Sequence, residues 1–272
     1  PGAQKLEFNT AARISRYDNQ GKFGTSGESA VRNIFTWKVS AIWDPIEWLR
    51  FRGSQSRDSR SPNFRELYYR QILAAGGPFS FCGPIGTNTD PCDFDLRGNV
   101  NLQPEKADTT TLGLVFTPSQ WVPGLQFAVD YFRIDVTDSI NQGSSRVLLD
   151  SCNSGLGDPA ACAFITTAVP GNYSDIVSIQ PRAYNGEGYT YKGVDISATA
   201  LWQINDTNSI NFRLLGTRMI DQEFQTLPTL PRYNVVGQTG TANTFLSDNQ
   251  PAPKWITNLS ATWDGGPFSV TA

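Results

Sequence analysis

The chain has 272 residues, a formal net charge of -3 and no histidine. A nearly neutral net charge without a stripe of Lys and Arg argues against a nucleic-acid-binding protein. The lack of His excludes His-based catalytic triads. No apolar run reaches the roughly eighteen residues of a membrane-spanning helix. Gly, Asn, Thr, Ser and aromatic residues are plentiful, which favours an all-β protein.

Nine segments alternate apolar and polar side chains, which is the period of a β-strand with one apolar face. In the first segment, Leu6 and Phe8 oppose Glu7 and Asn9. The segments have about the ten residues with which a tilted strand crosses the hydrocarbon core. Their polar faces indicate a wet interior, which a soluble sandwich or lipocalin-like barrel lacks. The predicted strands are about 6–17, 33–43, 48–56, 108–117, 125–136, 189–204, 209–225, 253–263 and from 268.

The joins between the segments are short on one side and long on the other. Five tryptophans lie close to short joins, which is typical of rings at a membrane interface. A large soluble sheet explains the alternation but not this asymmetry. The short joins are 44–47, 117–124, 205–208 and 264–267, the long joins are about 18–30, 57–107, 137–188 and 226–252, and the tryptophans are Trp43, Trp48, Trp121, Trp202 and Trp263.

The segments predict an antiparallel up-and-down transmembrane β-barrel. The chain opens at Pro1 without an initiator Met or a signal peptide, and its ninth strand begins close to Ala272. We therefore expect an incomplete segment of about nine strands.

Four stretches resemble motifs of TonB-dependent outer-membrane receptors in the order and spacing of that family. They read SRSPNFRELYYR at 59–70, GNVNLQPEKAD at 98–108, VDYFRIDVTDSI at 129–140 and NGEGYTYKGVD at 185–195. Ser61, Val100 and Asp195 depart from the usual residues, which leaves the subfamily open. The resemblance covers nearly the whole chain.

The resemblance implies that residues 1–272 are part of a 22-stranded barrel in the bacterial outer membrane, without its plug domain and closing C-terminal strands. Because nine of 22 strands do not close at the radius of such a barrel, they should form an open curved sheet with bare first and last strands. The implied function is TonB-energised uptake of a scarce solute, such as a siderophore-iron complex or a carbohydrate. The implied partners are the TonB complex through a missing N-terminal segment, the missing plug, outer-membrane lipid and an extracellular small molecule or oligosaccharide. No enzyme activity, cofactor, metal or nucleic-acid partner is expected. A passive porin-like channel and a soluble β-rich binding module are the alternatives.

Ligand contacts are expected in the long loops, because these loops face the medium. Arg and Tyr suit an anionic siderophore or a sugar. A purely structural role for the 59–70 motif is the alternative. The candidate ligand residues are Arg57, Arg60, Arg65, Tyr68, Tyr69, Arg182, Tyr184 and Tyr189.

Charged side chains are also predicted on the inner faces of the strands. Contact with a plug is the preferred interpretation, and guidance of a solute is the alternative. These residues are Arg13, Lys38, Arg50, Arg52, Asp130, Asp195, Arg213 and Lys254. In the fourth motif, Lys192 and Asp195 should lie on opposite faces, and Gly193 should permit close packing or a bulge.

The four cysteines form two pairs of equal spacing, Cys82 with Cys92 and Cys152 with Cys162. Both pairs lie in long loops, and their spacing suits loop-closing disulfides in an oxidising compartment. Each disulfide would stabilise the protein by about 2–3 kcal/mol. A zinc site is the weaker alternative, because each loop supplies only two thiols and no His is present.

Overall fold

The structure is a computed structural model that describes residues 4–23, 26–73, 93–142, 149, 152–153, 155, 159–172, 176–180, 182–186, 188–225, 232–239 and 252–272. Its elements are β1 (Lys5–Phe23), β2 (Ser26–Ile46), β3 (Leu49–Arg60), α1 (Phe64–Tyr68), β4 (Arg70–Leu73), β5 (Asp93–Arg97), β6 (Glu105–Phe116), β7 (Leu125–Thr137), β8 (Ser139–Gln142), α2 (Pro159–Cys162), β9 (Ile165–Thr167), β10 (Ile176–Ile179), β11 (Ala183–Gly186), β12 (Gly188–Asn205), β13 (Asn208–Gln225), β14 (Tyr233–Asn234), β15 (Trp255–Gly265) and β16 (Phe268–Thr271). No helix in the part of the chain that the structure describes is long and apolar enough to cross a membrane.

Nine strands lie side by side in one open, curved antiparallel sheet, and we call these nine the wall. The two-residue β14 is a tenth strand of the same sheet and pairs with β13. Their order is β1-β2-β3-β6-β7-β12-β13-β15-β16, so each strand pairs with its neighbours along the chain or across a loop. Within the described residues, β1 and β16 have a neighbour on one side only. The predicted all-β class and the open sheet of nine strands are confirmed.

Several wall strands extend further at the long-loop end than the sequence predicts. The clearest case is the stretch 18–30, which was expected to be a loop. Here β1 and β2 continue their ladder from Lys5 paired with Asp44 to Phe23 paired with Ser26. The apolar alternation stops earlier because side chains beyond the hydrocarbon core no longer face lipid, whereas the backbone groups still pair.

One face of the wall is a continuous apolar surface. Phe8 and Ile14 are 69% and 79% exposed, as residues that meet lipid should be. Near the short turns, Trp43 stacks on Phe51 with 5.4 Å between ring centroids, and the Trp48 ring lies 5.2 Å from Trp121. We call this the outer face and the opposite one the inner face. The inner face carries polar pairs, such as Arg52 with Asp130 at 2.6 Å.

The pairing of β12 with β13 contains a bulge. Lys192 pairs with Asp221, and the next residue, Gly193, pairs with Met219, so Ile220 has no partner in the ladder. A Cβ at Gly193 would lie 2.6 Å from Phe132 Cζ and 2.7 Å from the Arg218 carbonyl oxygen. Of the two predicted roles of Gly193, close packing is confirmed, and the bulge lies opposite it on β13.

The short elements lie at the long-loop end of the wall. Strands β4, β5, β10 and β9 form a separate four-stranded sheet, and β8 pairs with β11. The strand periodicity did not predict these elements, because they are only three to five residues long.

Candidate functional site

The first motif forms the short helix α1 just inside the mouth of the wall. Asn63 caps the helix by accepting a hydrogen bond from the Glu66 N–H at 2.8 Å, and the Glu66 carboxylate accepts one from the Asn63 N–H at 2.7 Å. This reciprocal arrangement is a capping box. Leu67 is 1% exposed and anchors the helix. The cap explains why Asn and Glu stand three residues apart in this motif.

The second motif packs directly on this helix. Leu102 is buried with Leu67, Ala30 and Ala183 in one apolar cluster. The Gly98 N–H donates to the Tyr69 carbonyl at 2.6 Å, and a Cβ at Gly98 would lie 2.5 Å from the Leu67 carbonyl carbon. The first two motifs are therefore one packed unit.

The inner face of β2 fixes this unit through Arg32. Its Nε donates to the Leu102 carbonyl at 2.7 Å, and its Nη2 donates to the Val100 carbonyl at 2.6 Å. Because buried carbonyls need donors, one guanidinium holds the turn of the second motif against the wall.

The fourth motif joins the second to the third through Asn185. Its side-chain oxygen accepts from the Gln103 N–H at 2.8 Å, and its Nδ2 donates to the carbonyls of Gln103 at 2.9 Å and Asp138 at 2.7 Å. Asp138 has a positive φ of 55°. All four resembling motifs thus meet at one place, and this convergence explains their joint occurrence.

Ion pairs tie the same unit to the strands. Arg60 donates to Glu105 at 2.6 Å and to Glu66 at 3.0 Å. Burial alone would raise the pKa of Glu105, but hydrogen bonds from Arg60 and from the Ile140 N–H lower it below its ordinary value. The hydrogen bond to Glu105 raises the pKa of Arg60. At the start of β6, Glu105 is thus paired with Arg60, and the next residue, Lys106, is paired with Asp138 at 2.8 Å.

A cavity of about 360 Å³ lies beside this unit, on the inner face at the mouth of the wall. Three guanidinium groups, two tyrosines and one carboxylate converge on it. Arg182 has a buried Nε with no hydrogen-bond partner among the residues that the structure places, and its guanidinium lies 5.0 Å from the Phe164 ring centre. The side chains that characterise the lining are Glu28, Tyr68, Tyr69, Arg70, Arg97 and Arg182.

The predicted ligand residues fall into three groups. Tyr68, Tyr69 and Arg182 line the cavity. Arg65 lies 4.5 Å above the Tyr69 ring, and Arg60 is held by its two carboxylates. Ligand contact by these five residues stays a prediction.

The remaining three candidates lie outside the cavity lining. Arg57 is on the outer face and pairs with Asp108 at 2.7 Å. Burial is the main cause that raises the pKa of Tyr184 to about 12, and the neighbouring Tyr189 is the second cause. The Tyr189 hydroxyl donates to the Asn141 side chain at 3.0 Å.

Arg70 and Arg97 are the lining residues that the sequence interpretation missed. Neither is marked by periodicity, and β4 pairs Arg70 with Arg97 of β5, residues separated by a long stretch of chain. Arg70 ends the first motif and Arg97 directly precedes the second, so their position beside motifs was the available signal.

A disulfide joins Cys152 and Cys162, with 5.7 Å between their Cα atoms. The bridge packs on Ile165, Ile176 and Ile179 in a small apolar cluster of its own. It therefore closes the predicted loop between β8 and β11. Cys82 and Cys92 lie outside the described residues, so their pairing stays a prediction.

The fold and its amphipathic strands define a class, the outer-membrane β-barrel. Comparison with known proteins gives the family. The model described as TonB dependent receptor-like, beta-barrel matches residues 2–272, and the chain belongs to this family. It is therefore a bacterial outer-membrane protein of a receptor family rather than an enzyme.

Individual relatives cover the chain to different extents. The hemoglobin and hemoglobin-haptoglobin-binding protein A of Haemophilus influenzae is 30% identical over 110 residues, which are 40% of this chain and 8% of that protein. The ferric enterobactin receptor of Pseudomonas aeruginosa aligns over 93% of this chain and 35% of its own, with a TM-score of 0.46 and 14% identity. The alcaligin receptor FauA of Bordetella pertussis aligns over 96% and 32%, with a TM-score of 0.45 and 14% identity. The match to the Haemophilus influenzae protein thus covers less than a tenth of the length of that protein.

Proposed function

We propose that the protein is a TonB-dependent transport receptor that takes up an anionic iron chelate through the outer membrane. Residues 1–272 supply about nine strands of its barrel wall and part of its extracellular mouth, while a plug and a TonB-binding segment belong to other parts of the whole protein. Membership of the TonB-dependent receptor family supports this assignment.

The observation that carries the substrate class is the set of side chains around the mouth cavity. Arg70, Arg97 and Arg182 converge there with Tyr68 and Tyr69. Guanidinium groups bind carboxylate or catecholate oxygens through charge-assisted hydrogen bonds, and tyrosine rings pack on flat ligand groups. Among the described lining residues, Glu28 is the carboxylate beside these three guanidinium groups. Guanidinium donors favour an anionic ligand over a neutral carbohydrate.

A haem-carrying protein is the second candidate ligand. It is favoured by the relative that is named for hemoglobin and hemoglobin-haptoglobin binding and is 30% identical over 110 residues. Such a ligand would contact the rim of the long loops over a wide area, whereas a small chelate would enter the cavity. The two candidates therefore differ in their dependence on the arginines that line the cavity.

The test uses the purified full-length receptor and its affinity for ferric enterobactin, ferric alcaligin and hemoglobin. The double variant Arg97→Gln/Arg182→Gln removes two cations of the lining. Since a hydrogen bond to a charged group contributes about 1.5–3 kcal/mol, each lost contact should weaken binding of the chelate by at least about tenfold. Arg213→Gln is the matched control, because Arg213 lies on the inner face of β13 and does not line the cavity.

Unchanged affinity for every chelate in the double variant would refute the anionic-chelate proposal, and retained hemoglobin binding would favour the second candidate. Energy coupling is tested separately by uptake in cells. Dissipation of the proton gradient should abolish uptake by a TonB-dependent receptor, whereas a passive porin-like channel would continue to admit the solute.

A further inference from the structure

The mouth cavity holds a row of three arginines that belong to neighbouring segments of chain. Arg70 of β4 pairs with Arg97 of β5, and Arg97 forms a parallel β-bridge with Arg182, which follows β10. All three residues line the cavity. Residues that pair directly across strands place their side chains on one face, where like charges repel. Arg182, at the end of the row, therefore requires a contact that keeps its guanidinium in the lining.

The ring of Phe164 supplies this contact. Arg182 Cζ lies 5.0 Å from the ring centre, which is within the range of a cation–π interaction. The Arg182 Nε is buried and has no hydrogen-bond partner in the part of the chain that the structure describes. A buried donor without an acceptor is unfavourable, so hydrogen bonding at Nε does not hold the guanidinium in place. The stacking on Phe164 is the interaction that offsets both this unused donor and the repulsion within the row.

Phe164 is fixed by the unit that the disulfide closes. This disulfide unit comprises α2, β9, β10 and the bridge between Cys152 and Cys162. Phe164 stands two residues after Cys162, and its carbonyl accepts a hydrogen bond from the Gln180 N–H at 2.9 Å. Arg182 follows Gln180 by two residues. One backbone hydrogen bond therefore sets the spacing between the ring and the guanidinium, and the disulfide anchors the chain just before the ring.

The core of the disulfide unit leaves the Phe164 ring available for this role. Phe164 is half-buried and is not a member of the apolar cluster of the unit. The next residue, Ile165, is 7% exposed and does belong to the cluster. The unit thus buries the residue beside Phe164 and presents the ring to Arg182. The cluster consists of Cys152, Ile165, Ile176 and Ile179, with Leu149 and Cys162 packed against it.

We propose that Phe164 is a positioning residue for Arg182, and that the Cys152–Cys162 disulfide thereby sets how tightly the mouth cavity binds an anionic ligand. This inference rests on the proposed function, because it concerns the same cavity. An aromatic ring covers the flat face of a guanidinium, whereas the N–H donors lie in its plane. The stack therefore orients the cation without using the donors that bind ligand oxygens. Because the side chain is ordered before the ligand arrives, binding avoids the entropic cost of immobilising it.

A purely structural role of the disulfide unit is the competing explanation. It accounts for the bridge and for the apolar cluster, which stabilise the loop between β8 and β11. It does not explain why the Phe164 ring lies against a guanidinium of the cavity lining and not inside the cluster. The two explanations differ in a double-mutant cycle, because only positioning makes the effect of Phe164 depend on the presence of Arg182.

The first measurement is the affinity of the purified full-length receptor for ferric enterobactin and ferric alcaligin. Phe164→Leu should weaken binding by about fivefold, the loss expected when one long side chain must be ordered on binding. Cys152→Ser/Cys162→Ser should weaken it by about two- to fivefold. Phe164→Tyr keeps the ring and should bind as tightly as the wild type. In the presence of Arg182→Gln, the change Phe164→Leu should cause no further loss.

The second measurement needs no ligand. Phenylglyoxal modifies guanidinium groups, and mass spectrometry reads its rate of reaction with Arg182 in the full-length receptor. Loss of the ring should accelerate this reaction by at least about threefold in Phe164→Leu, and opening of the disulfide should accelerate it as well. Val177→Ala is the control and should leave both measurements unchanged, because Val177 is 52% exposed on β10 and does not line the cavity.

An unchanged rate of modification in Phe164→Leu would overturn the inference, as would an equal effect of Val177→Ala. Chelate affinity that is lost in Arg97→Gln/Arg182→Gln but retained in Phe164→Leu would overturn the inference alone and leave the proposed function standing. If neither chelate binds the wild type, the anionic-chelate proposal fails, and the modification rate still decides whether Phe164 positions Arg182. Should Phe164→Leu fail to fold, Phe164→Met removes the ring while it fills a similar volume, and the same results are expected.

Discussion

Replacement of Asn185 by Ala should loosen the place where the four motifs meet. The side chain forms three hydrogen bonds, one from the Gln103 N–H and two to the carbonyls of Gln103 and Asp138. At about 0.5–1.5 kcal/mol net for each bond, and with partial exposure of the site, the local opening free energy should fall by about 2 kcal/mol. Backbone amides that are protected by local opening should then exchange about 30-fold faster.

The assay is hydrogen exchange of the full-length receptor, read by mass spectrometry on peptides that contain the amides of Gly98, Leu102 and Gln103. Asn185→Asp keeps the acceptor and loses both donated hydrogen bonds, so it should give an intermediate rate. Asn211→Ala is the control, because Asn211 is exposed on β13 and makes no side-chain hydrogen bond to any described residue. Unchanged exchange in Asn185→Ala, or equal acceleration in the control, would refute the reasoning.

Three further results are expected. Gly188→Ala should impair folding, because φ of Gly188 is +121° and a Cβ would meet the Val136 carbonyl oxygen. The assay is loss of the heat-modifiable gel shift. The control is Gly155→Ala, where φ is +73° and the space is open, so the free energy of unfolding should fall by only about 1–2 kcal/mol. Cys152→Ser/Cys162→Ser should lower local stability by about 3 kcal/mol for a sequence separation of 10, seen as faster proteolysis that reductant does not accelerate further. Because the pKa of Glu105 is lowered from 4.5, the stability that its carboxylate contributes should be constant above pH 4.5 and should be lost as the pH falls through the lowered pKa. Hydrogen exchange of the Ile140 amide, which donates to Glu105, should report this loss. The variant Glu105→Gln should abolish the acid dependence.

The nine wall strands could be predicted because lipid on one side and water on the other impose a strict period of two. The same signal failed between 18 and 30, where Gly21 and its neighbours remain paired beyond the lipid. Gly21 marks a long-range contact there, since a Cβ at this position would meet the Tyr68 ring. A sequence does not reveal that contact, because it joins parts of the chain that are far apart.

The mouth was predictable in part. Motif resemblance located the residues around the cavity, and Arg with Tyr indicated the ligand chemistry. Their partners depend on strand register, which pairs Arg60 with Glu105 across 45 positions of sequence. Register also assigns each residue to a face, and it puts Arg57 outside the wall beside Trp37. Local sequence does not fix register between strands that are separated by long loops.

The bulge at Ile220 constrains how this strand can change in evolution. Below the bulge, even-numbered residues of β13 such as Arg218 face outward, whereas above it Asp221 faces outward beside Lys192. Deletion of Ile220 would remove the bulge and leave Asp221 paired with Lys192 on the outer face, whereas deletion of a regularly paired residue would exchange the two faces for the rest of the strand. Single-residue gains and losses in β13 should therefore accumulate at this one position, and an alignment of related chains that places a gap elsewhere in the strand would compare outward with inward residues.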